Sequence, residues 1–120
     1  MAMMTDSRLV VRAKLFRGLS DVSRLALLEV LRTGEKTVTE LVTHTGLSQS
    51  NVSGHLACLR ECGLVDSRQE WRHVYYRLAG ERIGDILGAA EAVLAANAER
   101  ISACPSIEEG SEVCHESQAE

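Results

Sequence analysis

No apolar run in this 120-residue chain approaches the ~20 residues that a membrane-spanning helix requires, so an integral helical membrane protein is excluded. The opening stretch, MAMMTDSRLVVRAKLFRGLS, scatters charges among its apolar positions. It lacks the unbroken apolar core and small-residue cleavage site of a secretory signal, and the expected location is the cytoplasm. No internal repeat is present. Neither a CxxC pair nor a nucleophile partnered by a base can be found, which argues against an enzyme such as a thiol oxidoreductase.

What remains is an ordinary globular composition, 45% hydrophobic and 25% charged, at a length that suits one compact domain. In a cytoplasmic chain the four cysteines read as reduced thiols, open to metals or oxidants, rather than as disulfides. The net charge of −4 hides a division along the chain. Residues 1 to 80 hold 11 Lys+Arg against 8 Asp+Glu, whereas residues 81 to 120 hold 2 against 9. A mildly basic body followed by an acidic end can still bind DNA, because local charge sets the attraction to phosphates. The acidic end is equally well explained as a solubilising tail.

Hydrophobic periodicity gives a succession of helices interrupted by one hairpin. Leu9, Val10, Ala13, Phe16 and Leu19 recur at helical spacing, with a stop near Gly18. Ser20 or Asp21 can cap a second helix through Leu25, Leu28 and Leu31 to Gly34. Thr37 and Glu40 have the capping-box spacing that opens a short third helix, TVTELVTHTG, and Ser48 can cap a fourth, SQSNVSGHLACLREC, closed by Gly63. Two short helices joined by a turn containing Gly form a helix-turn-helix. LVDSRQ and HVYYRL, parted by Glu70, Trp71 and Arg72, read as a β-hairpin. From Gly80 a last helix carries Ile83, Ile86, Leu87, Ala90, Val93, Leu94 and Ile101 on one stripe. With the first helix it offers more apolar surface than a small core absorbs, so a symmetric dimer through the first and last helices is expected. The expected fold is mainly α with a small β-hairpin, a winged helix-turn-helix. Residues 1-103 would form the DNA-binding and dimerisation domain, and residues 104-120 a flexible acidic tail carrying Cys104 and Cys114.

The start of the fourth helix suits a major groove. Ser48, Gln49, Ser50, Asn51, Ser53 and Gly54 are small or amide residues in its first turns, followed by His55. Gln49 is the best base reader, since an amide can bond bidentately to adenine, while the two serines suit phosphates. Arg68, Arg72 and Arg77 of the hairpin can add backbone or minor-groove contacts. The plainer alternative is a solvated polar face. His55 reads more readily as a packing or hydrogen-bonding group than as a metal ligand.

Cys58 and Cys62 stand at i and i+4 on that same helix, close enough for both sulfurs to hold one ion. They can also be read as small buried residues. Two thiols on one face, with Cys104 and Cys114 further along, favour a soft metal over the oxygen-seeking Mg(II) or Ca(II).

Residues 9 to 103 resemble the bacterial ArsR/SmtB repressors. The resemblance rests on Ser20, Asp21 and Arg24 at the entry to the second helix, and on Ser50, Ser53, His55, Leu56 and Leu59 in the fourth. It continues through Gly63, Leu64 and Val65 to Tyr75, Tyr76 and Leu78 in the wing. Val22 replaces the usual proline, and Gln69-Glu70-Trp71-Arg72 stands where the wing tip normally carries glycine. The third helix lacks the family's CxC motif and residues 81 to 103 contain no histidine, so two of its known metal sites are missing. The cysteine placement is similar to that of the CmtR-type cadmium and lead sensors, which implies Cys58, Cys62 and Cys104 as ligands, the last supplied by the partner subunit. Cys114-His115 has no counterpart, and Cys114 stays a possible fourth ligand. The resemblance implies a homodimeric repressor that binds an inverted repeat in double-stranded operator DNA when metal-free. Cd(II) or Pb(II), with Hg(II) or Zn(II) as further candidates, would release it. A thiol redox or persulfide sensor, or an As(III) sensor of the same fold, is the rival reading, and a metal store is another.

Overall fold

The computed structural model describes residues 6–107. Five helices and one hairpin follow in the order α1 (Ser7–Gly18), α2 (Val22–Leu31), α3 (Val38–Thr45), α4 (Gln49–Glu61), β1 (Val65–Glu70), β2 (His73–Leu78) and α5 (Glu81–Ala103). This is a winged helix-turn-helix, with α3 and α4 as the two-helix motif and β1–β2 as the wing.

The helix boundaries follow from side chains that satisfy orphan amides. Asp6 and Asp21 accept from the backbone amides of Arg8 and Arg24 at 2.8 and 3.0 Å. Thr37 and Glu40 form a reciprocal capping box, with Thr37 N donating to Glu40 Oε1 at 2.9 Å and Glu40 N to Thr37 Oγ1 at 3.2 Å. Gly46, left-handed at φ 78°, ends α3. At the end of α4, Gly63 N donates to Arg60 O and Leu64 N to Leu59 O, and Gly63 sits at φ 81°. That paired pattern is a Schellman motif with Cys62 as the C-cap residue, and it turns the chain sharply into the wing. Helix α2 stops at Leu31, short of the expected Gly34, because Thr33 and Gly34 donate to the carbonyls of Val30 and Leu31 and tighten the end into a turn.

The core is built from Leu27, Leu28 and Leu31 of α2, Leu41 of α3, Val52, Leu56 and Leu59 of α4, Val65 of β1 and Leu87 of α5, with Leu19 at its edge. Each such side chain contributes roughly 1.5–3 kcal/mol by leaving water. The wing is rooted in this core. In its register Val65 pairs with Leu78 and Ser67 with Tyr76 on the inner face, while Asp66–Arg77, Arg68–Tyr75 and Glu70–His73 face outward. Lys36 exchanges two backbone hydrogen bonds with Tyr76, at 2.8 and 2.9 Å, and adds a third short rung to the hairpin.

Two helices lie largely outside the core. Helix α1 buries none of its residues, and Val10, Val11 and Phe16 are exposed. Of the α5 stripe only Leu87 is buried; Ile83 and Ile86 are half-buried, and Ala90, Val93, Leu94 and Ile101 are exposed. Among the described residues no helix is long and apolar enough to cross a membrane.

Candidate nucleic-acid interface

Helix α4 divides cleanly into two faces. Val52, His55, Leu56 and Leu59 point into the core, which leaves Ser48, Gln49, Ser50, Asn51, Ser53 and Gly54 exposed along the opposite side. Ser48 has a structural duty as the N-cap, its Oγ accepting from Asn51 N at 3.1 Å and lying 3.4 Å from Ser50 Oγ. Gly54 has none: a methyl group built there would meet nothing within 4 Å. A glycine inside a helix costs about 1 kcal/mol relative to alanine, and no packing among the described residues requires it. Such a position suits the close approach of an outside molecule.

His55 corrects the sequence expectation that grouped it with the DNA-contacting residues. It is only 5% exposed, and a ring so enclosed has no edge to offer a base. Its Nε2 lies 3.8 Å from Asp21 Oδ2, while Nδ1 has no hydrogen-bond partner among the described residues. Burial pushes its pKa below the ordinary histidine value and the Arg24 charge adds to that, outweighing the opposing pull of Asp21. Arg24 itself is fully buried, donating Nε to Gly18 O at 2.7 Å, with Nη1 and Nη2 unpartnered among the described residues. His55 and Arg24 thus brace the junction of α2 with α4 and hold the recognition face in position.

The wing arginines are not equivalent. Arg68 is held by Glu35 at 2.8 Å and by Glu70 at 2.7 Å, and its guanidinium lies 4.8 Å from the centre of the Tyr75 ring. Its charge is therefore engaged within the chain. Arg72 has no ion-pair partner among the described residues and stacks 4.6 Å over the Trp71 ring at the wing tip. Arg77 is exposed on the outer face. Sequence reasoning missed the Glu35 contact, for which no local pattern exists across 33 residues, and it missed the backbone of Trp71, which takes φ 59°.

Cys58 and Cys62 are joined by the helical hydrogen bond from Cys62 N to Cys58 O at 3.0 Å, which sets them on one face one turn apart. Cys58 is half-buried and Cys62 exposed. Cys62 opens into a groove of about 410 Å³ between α1 and the end of α4, lined also by Val11, Lys14, Leu15, Gly18 and Leu64. Cys104 caps the C-terminus of α5 and is half-buried. Within one chain no group of three or more His, Cys, Asp or Glu residues able to hold a metal occurs among the described residues. Cys58 and Cys62 thus stand one turn apart on α4, and Cys104 of the same chain does not join them in such a group. Cys114 and His115 lie outside the described residues.

A helix-turn-helix with a wing and an exposed polar face on its second helix is the architecture of a DNA-binding regulator. Residues 21–67 match the model of the bacterial regulatory protein arsR family. Over 95 residues the chain is 39% identical to a probable mercury resistance operon repressor of Streptomyces lividans, covering 79% of this chain and 76% of that protein. It is 42% identical over 89 residues to the HTH-type transcriptional regulator CmtR of Mycobacterium tuberculosis, covering 73% and 75%. A solution structure of a homodimeric winged helix-turn-helix DNA-binding domain from Mycobacterium bovis superposes with a TM-score of 0.68 at 30% identity, over 83% of this chain and 95% of that one. The chain belongs to the ArsR family of transcriptional regulators.

Proposed function

We propose that this protein is a homodimeric, cytoplasmic repressor that binds operator DNA through α4 and the wing when metal-free, and is released when a soft metal is held by Cys58, Cys62 and a Cys104 contributed by the partner subunit. The observation that carries the reading is that one helix bears both an exposed polar face and a pair of thiols. The exposed residues Ser48 to Gly54 open α4, and the Cys58–Cys62 pair closes it. A ligand that grips the second part acts mechanically on the first.

The donor set fits the ion. Thiolates suit Cd(II), Pb(II), Hg(II) and Zn(II). With two sulfurs on α4 and the third at the end of α5, a complete three-thiolate site needs a second chain, and the exposed apolar faces of α1 and α5 are the surfaces through which that chain would dock. The metal favours the dimer geometry that brings the three sulfurs together, and that geometry is poorly matched to DNA. A coupling of about 1–3 kcal/mol weakens operator binding several-fold to about a hundredfold. A symmetric dimer calls for an inverted repeat with half-sites about one helical turn, or a multiple of it, apart.

The relative named for mercury resistance supports a metal inducer and keeps Hg(II) beside Cd(II) and Pb(II) among the candidates. The test is titration of each metal into the reduced protein, followed by thiolate-to-metal absorption and, in parallel, by binding to a fluorescent operator duplex. Wild type should show a charge-transfer band and release DNA as the band saturates. Cys58→Ser, Cys62→Ser and Cys104→Ser should each lose the band, with Cys114→Ser keeping it. A protein that shows no band and releases DNA only on mild oxidation would instead be a thiol redox sensor acting through the same cysteines.

A further inference from the structure

Trp71 is a large aromatic residue held at φ 59°, in the left-handed region that bulky side chains rarely occupy. The register pairs Glu70 with His73, so Trp71 and Arg72 form a two-residue loop. In such hairpins a positive φ at the first loop position is ordinarily given to glycine. Little among the described residues compensates for the misfit: the indole is 78% exposed, the guanidinium of Arg72 stacks on its ring, and Gln69 Nε2 donates one hydrogen bond of 3.3 Å to the Trp71 carbonyl. Backbone strain that serves no buried packing, at a position this exposed, points to a role outside the fold.

The charge around the tip indicates what that role is. Glu35 and Glu70 neutralise Arg68, whereas Arg72 has no carboxylate partner among the described residues. The tip therefore presents an apolar aromatic plate with an uncompensated cation lying on its face. Sugars and bases offer apolar surface and phosphates offer anionic charge, both within a few ångströms along any DNA strand, so this pair matches nucleic acid better than an apolar protein surface.

We propose that Trp71 is itself a DNA-contacting residue: the wing tip lays the indole against the deoxyribose edge of the minor groove beside the site read by α4, and aims Arg72 at the neighbouring phosphates. The proposal rests on the reading of α4 as the recognition helix. It assigns to Trp71 an affinity that does not depend on base identity, since every nucleotide carries a sugar.

Trp71 is the only tryptophan in the chain, so its emission reports on this one position. The probe is a fluorescein-labelled duplex enriched from a random-sequence pool by the reduced, metal-free wild-type protein. Trp71→Gly should keep its circular dichroism and melt no lower than wild type, because glycine relieves the strain, yet bind the duplex on the order of tenfold more weakly. Trp71→Phe should regain most of that loss. In wild type the indole emission should change on DNA addition and become shielded from acrylamide. If Trp71→Gly binds as tightly as wild type and the indole stays open to acrylamide, while Gln49→Ala weakens binding, the inference falls and the DNA reading stands. A large drop in melting temperature in Trp71→Gly assigns the residue to the fold and overturns the inference. Failure of wild type to enrich any duplex overturns both.

Discussion

Arg68 in the wing and Glu35 in the turn between α2 and α3 stand 33 residues apart in sequence and meet through hydrogen bonds of 2.8, 3.2 and 3.3 Å. Donation from Arg68 holds the Glu35 carboxyl below the usual carboxylate range. An arginine of the wing hairpin is thus clamped to the body of the same chain.

Glu35→Gln should loosen that clamp and release Arg68 toward phosphate. Operator affinity should rise several-fold at low salt, and the plot of log K against log salt should steepen by about 0.9 for each additional phosphate that is neutralised. Melting temperature should change little, as expected of an exposed ion pair. The depressed carboxyl keeps the pair intact through the ordinary carboxylate range, so wild type should match the variant only in solution more acid than that. Fluorescence anisotropy at several salt concentrations checks this.

The buried His55 gives stability a definite dependence on pH. Its folded pKa lies below the unfolded value near 6.5, so the unfolded chain binds the extra proton first and stability rises with pH through that window. The contribution is complete above about pH 6.5 and is lost as the pH falls toward the folded value. Melting curves between pH 7.5 and 5.5 should therefore decline more steeply for wild type than for His55→Gln.

The origin of the third thiolate can be decided by mixing two defective chains. A Cys58→Ser/Cys62→Ser protomer and a Cys104→Ser protomer should each bind metal poorly as homodimers. If the site crosses the dimer, their heterodimer rebuilds one complete site, and half of the metal absorption per dimer returns. A site contained in one chain gives no recovery.

The exposed apolar residues of α1 and α5 predict where the dimer can be broken. Leu94→Glu and Phe16→Glu should shift the sedimenting species from dimer to monomer at micromolar concentration. They should also lower operator affinity by on the order of a hundredfold or more, because two half-sites are no longer engaged together. Circular dichroism should keep the helical signal of α2 to α4, whose core does not include either side chain.

The helices of the body are legible in the sequence because their boundaries are written in local chemistry. Thr37 with Glu40, Ser48 and Gly63 each act within three or four residues of their own position. The polar face of α4 is legible for the same reason, as the 3.6-residue period separates it from Val52, Leu56 and Leu59. His55 is legible as a packing group but not as one withdrawn from the DNA-contacting set, because a histidine beside serines and glycine carries no mark of the Asp21 and Arg24 that face it from the start of α2. The Arg68–Glu35 pair is likewise a product of how the wing folds back over the body. Trp71 is legible as a departure from glycine at the wing tip; that it still adopts glycine's backbone region is not.

Helix α1 buries no residue in the single chain, although its twelve residues are fully helical. A helix of that length is marginal by itself in water. Its backbone amides should then exchange with solvent deuterium at a rate set by how often the partner subunit leaves, whereas those of α2 and α4 exchange only on global unfolding. The protection of α1 becomes a measure of protein concentration. In a cell holding few copies, an unprotected α1 would be the first segment open to a protease, so the lifetime of the regulator would lengthen as more of it is made.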